Sequence, residues 1–194
     1  MAEKRYVVGG HDGWLNVKRE PSGAIIAMPE YLQVSLSESK EGRDYFTPLE
    51  GVERGKKFSV KTGNLRSANL AHYHSGAHLE FSLSKEKLTY QGNQAKAVTD
   101  TAFPIELGQH RIQIPDFPHD KAIGYRADSP YVKTWFFLGN GVARHGSDDR
   151  YLHPGGNSLG CITVKPSEWT RLYQYLILCR SNDGKTVGNV LVVR

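Results

Sequence analysis

The segment at residues 150–164 constrains the fold of this chain more than any other. Within fifteen positions it runs from Arg150, Tyr151 and Leu152 through His153 and Pro154, past glycines at 155, 156 and 160, to Cys161 and an apolar run, Ile162 to Val164. Ile162 and Val164 sit at alternating positions of a short strand, which anchors the cysteine on a rigid element. The glycines let the chain turn tightly enough to bring His153 back over Cys161, and Gly160 leaves room for another group to approach the backbone. A tight loop leading into a strand is therefore expected here, with one histidine and one thiol at the loop.

That pairing has a chemical reading. A cysteine nucleophile needs a base to take its proton and backbone N–H groups to hold a developing oxyanion. Its thiol must also ionise below the free value of about 8.5 to be effective near neutral pH. His153 is the expected base, taking the thiol proton and later giving it to a leaving amine. The plain alternative for His153 is a residue that merely ends a strand before a proline. Ser158 is placed to stiffen the turn or to bond substrate. The other cysteine, Cys179, follows Trp169, Leu172, Tyr173 and Leu176 at helical spacing and reads as a buried thiol on the core face of a helix. A disulfide between the two is open, but two cysteines do not make a disulfide framework.

The run His153-Pro154-Gly155-Gly156-Asn157-Ser158-Leu159-Gly160-Cys161-Ile162-Thr163 resembles the active-site segment of the L,D-transpeptidase (YkuD-like) catalytic domain. Its short loop is most similar to that of the L,D-transpeptidase-type effectors delivered by type VI secretion. The chain departs from the family pattern at Leu159, where many members have a second histidine. It departs again at Thr163, where an arginine or asparagine is usual. The resemblance implies Cys161 as nucleophile, His153 as base, and the backbone N–H groups of Gly160 and Cys161 as the oxyanion hole. His145, in Arg144-His145-Gly146-Ser147, looks like the base of longer-loop members and is the rival. In this family the acceptor that orients the histidine is often a backbone carbonyl, so no third side chain is required. Tyr125 and Arg126, behind a loop at residues 116–120, are the expected contacts to substrate carboxylates.

Composition limits the partners. The 194 residues are 39% apolar and 23% charged, with a formal net charge of +5, as suits a globular chain long enough for one good core or for a catalytic domain plus a small extra module. The 25 Lys and Arg are dispersed, and no nucleic-acid motif accompanies them, so nucleic acid is not an expected partner. No apolar stretch approaches the roughly 20 residues of a membrane span. The start, Met1 to Tyr6, lacks the apolar core of a secretory signal. His72, His74 and His78 have spacing that could hold a metal, but surface histidines at a domain junction explain them better. No cofactor is expected.

Periodicity points to β structure. Strands are expected at residues 6–8, 14–17, 24–28, 58–61, 79–83, 88–90, 111–114 and 187–193, and residues 131–138 read as a central strand. Residues 37–57, polar and rich in Ser, Glu, Lys and Gly, read as a long loop. A helix is expected from Pro166 to the Ser181–Gly184 region. The fold class is thus mainly β with one helix in the C-terminal region. The resemblance makes residues 78–194 an L,D-transpeptidase-like β-sandwich, the catalytic domain. Residues 1–77 form an N-terminal β-rich extension of unassigned role. Trp14 to Lys18 faintly resembles bacterial SH3-like wall-binding modules.

The implied activity is acyl transfer on peptidoglycan tetrapeptide stems, as L,D-carboxypeptidase, as L,D-transpeptidase with D-amino acid exchange, or both. The subgroup implies an antibacterial toxin, made in the cytoplasm and acting in the periplasm of a target cell, with an immunity protein and a secretion-system carrier as partners. A housekeeping L,D-transpeptidase, a wall-binding module without catalysis, and an unrelated cysteine peptidase are the alternatives.

Overall fold

Short apolar runs broken by Gly and Pro favour strands over helices, and strands dominate the computed structural model, which describes residues 3–144, 147–156 and 159–194. Strands β1 (Glu3–Val7), β2 (Trp14–Arg19), β3 (Ile25–Pro29), β4 (Gln33–Lys40), β5 (Arg43–Pro48), β6 (Phe58–Lys61) and β7 (Leu65–Ser67) form a seven-stranded antiparallel sheet in the order β3-β2-β6-β5-β4-β1-β7. The chain continues through β8 (His74–Ser75), β9 (Ala77–Ser82), β10 (Lys87–Tyr90), β11 (Asn93–Val98), β12 (Gly108–Gln113), β13 (Phe136–Arg144), β14 (Ser147–Pro154), β15 (Ile162–Val164), helix α1 (Pro166–Leu176), β16 (Cys179–Arg180) and β17 (Thr186–Val193). Eight of these build a mixed sheet in the order β12-β17-β9-β10-β11-β15-β14-β13, while β8 and β16 pair separately. The two edges of the large sheet, β12 and β13, pack on each other, so it curls towards a barrel.

One hydrophobic core joins the two sheets. Val7, Val17, Met28 and Phe46 of the first sheet are buried in the same cluster as Phe81, Ile112, Trp169 and Tyr173. Polar bonds reinforce that junction: Trp14 Nε1 donates to Thr134 Oγ1 at 2.9 Å, and Tyr173 Oη donates to Glu30 at 2.8 Å. Gly13 has φ of +83°, and a Cβ there would collide with the Tyr173 hydroxyl, so only glycine fits this crossing.

Three expectations are corrected. Residues 37–57 are not a long loop, because β4 and β5 form a hairpin across them. The two residues between the strands, Glu41 and Gly42, have φ of 51° and 73°, the positive pair that a tight hairpin turn demands. β5 alternates buried and half-buried positions, so polar residues on its outer face disguised it. Residues 131–138 are not a central strand: Tyr131 to Thr134 form a turn, and β13, starting at Phe136, lies on the edge of its sheet. The apolar character of Val132 and Trp135 serves a small separate core with Ala122. The helix stops at Leu176, so Cys179 belongs to β16 and not to the helical stripe, although it is fully buried. Pro166 does open the helix, and Trp169, Leu172, Tyr173 and Leu176 form its buried face.

Candidate active site

Parallel neighbours normally need a crossover of about a dozen residues or more. β14 and β15 are adjacent and parallel, yet only the seven positions 155–161 separate Pro154 from Ile162. The register pairs Leu152 with Ile162 and His153 with Thr163. Side chains alternate along strands, so Leu152 and Ile162 enter the core while His153 and Thr163 share the opposite face. Continuing that alternation, Tyr151 and Cys161 come next on the same face. The Tyr151 N–H donates to Cys161 Sγ at 3.3 Å, which holds the thiol against β14. The short return thus places the thiol and the imidazole on one face of the β14–β15 pair. Gly160, with φ of +85°, makes the final turn into Cys161.

The imidazole is held in one tautomer. His153 Nδ1 lies 2.9 Å from the Pro154 carbonyl, which can only accept, so Nδ1 carries the proton. Nε2 is then the basic nitrogen, and the Thr163 hydroxyl sits 3.3 Å from it. The ring plane is fixed by stacking on Trp135, with centroids 4.2 Å apart. On its far side Trp135 stacks on His119 at 4.5 Å, and His119 stacks on Phe117 at 4.4 Å. Three of these four rings, Phe117, His119 and Trp135, come from the 22-residue connection between Gln113 and Phe136, and the fourth, His153, from β14.

Burial sets the electrostatics. His153 is 7% exposed, and desolvation pushes its pKa down to about 4, with the charges of His119 and Lys121 adding to the fall and the Pro154 hydrogen bond opposing it. Desolvation likewise pushes the Cys161 thiol up, against the Tyr151 N–H, Arg150 and Lys121, which pull it down. The resting pair is therefore a neutral thiol beside a neutral imidazole. Such a pair works by general-base transfer as the carbonyl is attacked, and it does not store a preformed ion pair.

Tyr125 lies in a short 3-10 turn, with its hydroxyl 3.1 Å from where a Gly156 Cβ would be, so it reaches the loop between β14 and β15. Arg126 is exposed at the end of that turn. Ser158 and the rival base His145 lie outside the described residues. His74 and His78 stand exposed on different sheets, and among the described residues no group of three or more ligating side chains could hold a metal. Sequence reasoning missed Trp135, His119, Thr163 as a partner of the imidazole, and Arg150. The spacing of rings in a long connection carries no periodic signal, so only the folded chain reveals the column.

The two thiols differ sharply. Cys179 is fully buried, its thiol donates to the Tyr175 carbonyl at 3.3 Å, and desolvation pushes its pKa up to about 11. Cys161 is also buried but keeps 9% exposure, against none for Cys179. Under native conditions iodoacetamide is expected to label Cys161 alone, with Cys179 reacting only after denaturation. Peptide mass mapping checks this, and equal labelling of both in the folded protein would contradict the assigned environments.

Comparisons with protein families, curated proteins and solved structures find no match to this chain. Among the described residues no helix is long and apolar enough to cross a membrane.

Proposed function

We propose that the chain is a cysteine acyl-transfer enzyme of the L,D-transpeptidase type, with an L,D-transpeptidase-like β-sandwich as its catalytic part. Its substrates are peptidoglycan tetrapeptide stems. The observation that carries this reading is the short parallel return from β14 to β15, which sets Cys161 and a His153 with its Nδ1 proton tied to a backbone carbonyl on one face. That is what acyl transfer without a third acidic side chain requires. The resemblance of residues 153–163 supplies the substrate class.

In the forward step the Cys161 proton passes to His153 Nε2 while sulfur bonds to the carbonyl carbon of the third stem residue. The carbonyl electrons move onto oxygen, facing the N–H groups of Gly160 and Cys161. As the tetrahedral species collapses, the C–N bond to the fourth residue, D-Ala, breaks and Nε2 returns its proton to the departing amine. Water then attacks the thioester to give a tripeptide stem, or an amine attacks to give exchange or cross-linking. The same proton relay runs in each case, and the thiol is regenerated. No metal or organic cofactor enters this scheme. In its biological setting the reading is an antibacterial type VI effector, acting in a target periplasm and held in check by an immunity protein in the producer.

Mass spectrometry of muropeptides incubated with the protein tests it. Conversion of tetrapeptides to tripeptides, or exchange of the terminal D-Ala for an added D-amino acid, is expected, and both are lost in Cys161→Ala and His153→Ala. Untouched tetrapeptides in the presence of added D-amino acids, with folded wild-type protein, would overturn the reading.

A further inference from the structure

Arg150 is a full charge with 3% exposure, and little compensates it. Its Nη2 donates to the Val142 carbonyl, and its Nη1 reaches the carbonyls of Asp148 and Asp149 only at 3.3 and 3.4 Å. Its carboxylate partner is Glu106, at 3.6 Å, too long for a hydrogen bond. Its Nε is buried with no hydrogen-bond partner, as is Glu106 Oε2. A buried charge left this loosely paired costs several kcal/mol by the general rule, so its retention calls for a reason.

The place of the guanidinium supplies one. By strand alternation Arg150 lies on the opposite face of β14 from Tyr151 and His153. Its Nε is 2.7 Å from where a Cβ of Gly141 would be and 3.0 Å from that of Gly160. The group is sandwiched between two glycines, directly under the turn that delivers Cys161. A Cβ at Gly141 would force it to shift, and one at Gly160 would crowd it.

We propose that Arg150 is a positioning residue of the candidate site: its buried guanidinium supports the Gly160–Cys161 turn from beneath and supplies positive charge complementary to the anion that forms at Cys161. The proposal rests on Cys161 being the nucleophile. It accounts for the glycine at 141, adds to the positive φ as a reason for the glycine at 160, and explains why the charge is left under-compensated until the thiolate forms. The other charged and titratable groups around the thiol are Asp149, Tyr151 and His153 on β14 and Lys121 on the connection before β13. Arg150 and Lys121 favour the thiolate and Asp149 opposes it. Glu106 acts through Arg150 by neutralising part of its charge.

The test is the pH profile of Cys161 alkylation by iodoacetamide, read by peptide mass mapping, which needs no substrate. Arg150→Met is expected to raise the midpoint by about one unit, slowing alkylation at pH 7 roughly tenfold, and Arg150→Lys to restore most of the loss. Glu106→Gln keeps an oxygen for the Val142 N–H but removes the charge, so its midpoint is expected to fall and alkylation at pH 7 to quicken a few-fold. A purely structural role for Arg150 predicts no shift in the folded variants, and unchanged midpoints in Arg150→Met and Glu106→Gln would overturn the proposal. If Arg150→Met fails to fold, the direction of the Glu106→Gln shift decides alone. Inactivity on muropeptides with the expected alkylation shifts would remove the substrate assignment and leave the role of Arg150 standing.

Discussion

Glu50→Ala is expected to destabilise the whole protein by about 3–5 kcal/mol, the usual cost of leaving one member of a buried ion pair alone. Glu50 and Arg180 are 4% and 5% exposed, and both carboxylate oxygens lie within 2.9 Å of Arg180 Nε. Every remaining polar group of the pair is engaged. Glu50 accepts the Gln33 N–H at 2.9 Å, while Arg180 donates to the carbonyls of Ile177, Cys179 and Tyr31 and lies over the Tyr73 ring. Removing the carboxylate strands a buried guanidinium on β16, where the alternatives are water entry or local separation. Because one core runs through both sheets, the loss is expected as a single earlier transition in urea, followed by fluorescence and circular dichroism together. The double variant Glu50→Leu, Arg180→Met is expected to recover most of the loss, since no charge is then left unpaired. A fall below about 1 kcal/mol in the single variant would show that the pair is hydrated and does not clamp the sheets.

This clamp also marks where sequence reading stops. The β-rich class, most strands and the opening of the helix at Pro166 follow from period-two patterning and from Gly and Pro placement, which are local properties. The hairpin at residues 33–48 escaped because a strand with a polar outer face looks like a loop. The run at 131–138 misled because apolar residues can serve a ring stack as well as a sheet. That Cys161 and His153 lie on one face was legible because the loop that joins them is short, eight positions from one to the other. Glu50 and Arg180 are 130 positions apart, and Arg150 meets Gly141 and Gly160 only once the β13–β14 hairpin and the return to β15 have formed. No periodicity encodes such meetings. Trp135 belongs with them: its stacking on His153 requires the connection before β13 to fold back on its own small core.

The acid limit of the protein is expected to be set by His153. In the unfolded chain an imidazole titrates near 6.5, but burial lowers the folded value to about 4. Between those values the unfolded state binds more protons than the native one, so stability rises with pH across that window. The penalty is absent above pH 6.5, grows as pH falls, and is complete near pH 4, where it reaches about 3 kcal/mol. By pH 5 about 2 kcal/mol is already lost. Urea unfolding of wild type and His153→Gln at pH 7 and pH 5 isolates this contribution, because glutamine cannot titrate; a wild-type pH dependence that persists unchanged in the variant would assign the acid sensitivity elsewhere. The same ordering of pKa values governs reactivity. An imidazole that stays neutral down to about pH 4 is available as a base throughout the neutral range, while the raised thiol keeps the resting thiolate scarce. Alkylation of Cys161 is therefore expected to climb with pH through neutrality and beyond. A site resting as thiolate and imidazolium would instead react at a nearly constant rate there, since its thiolate would already be formed, and such a plateau would show that the charged pair, and not general-base transfer, is the resting state.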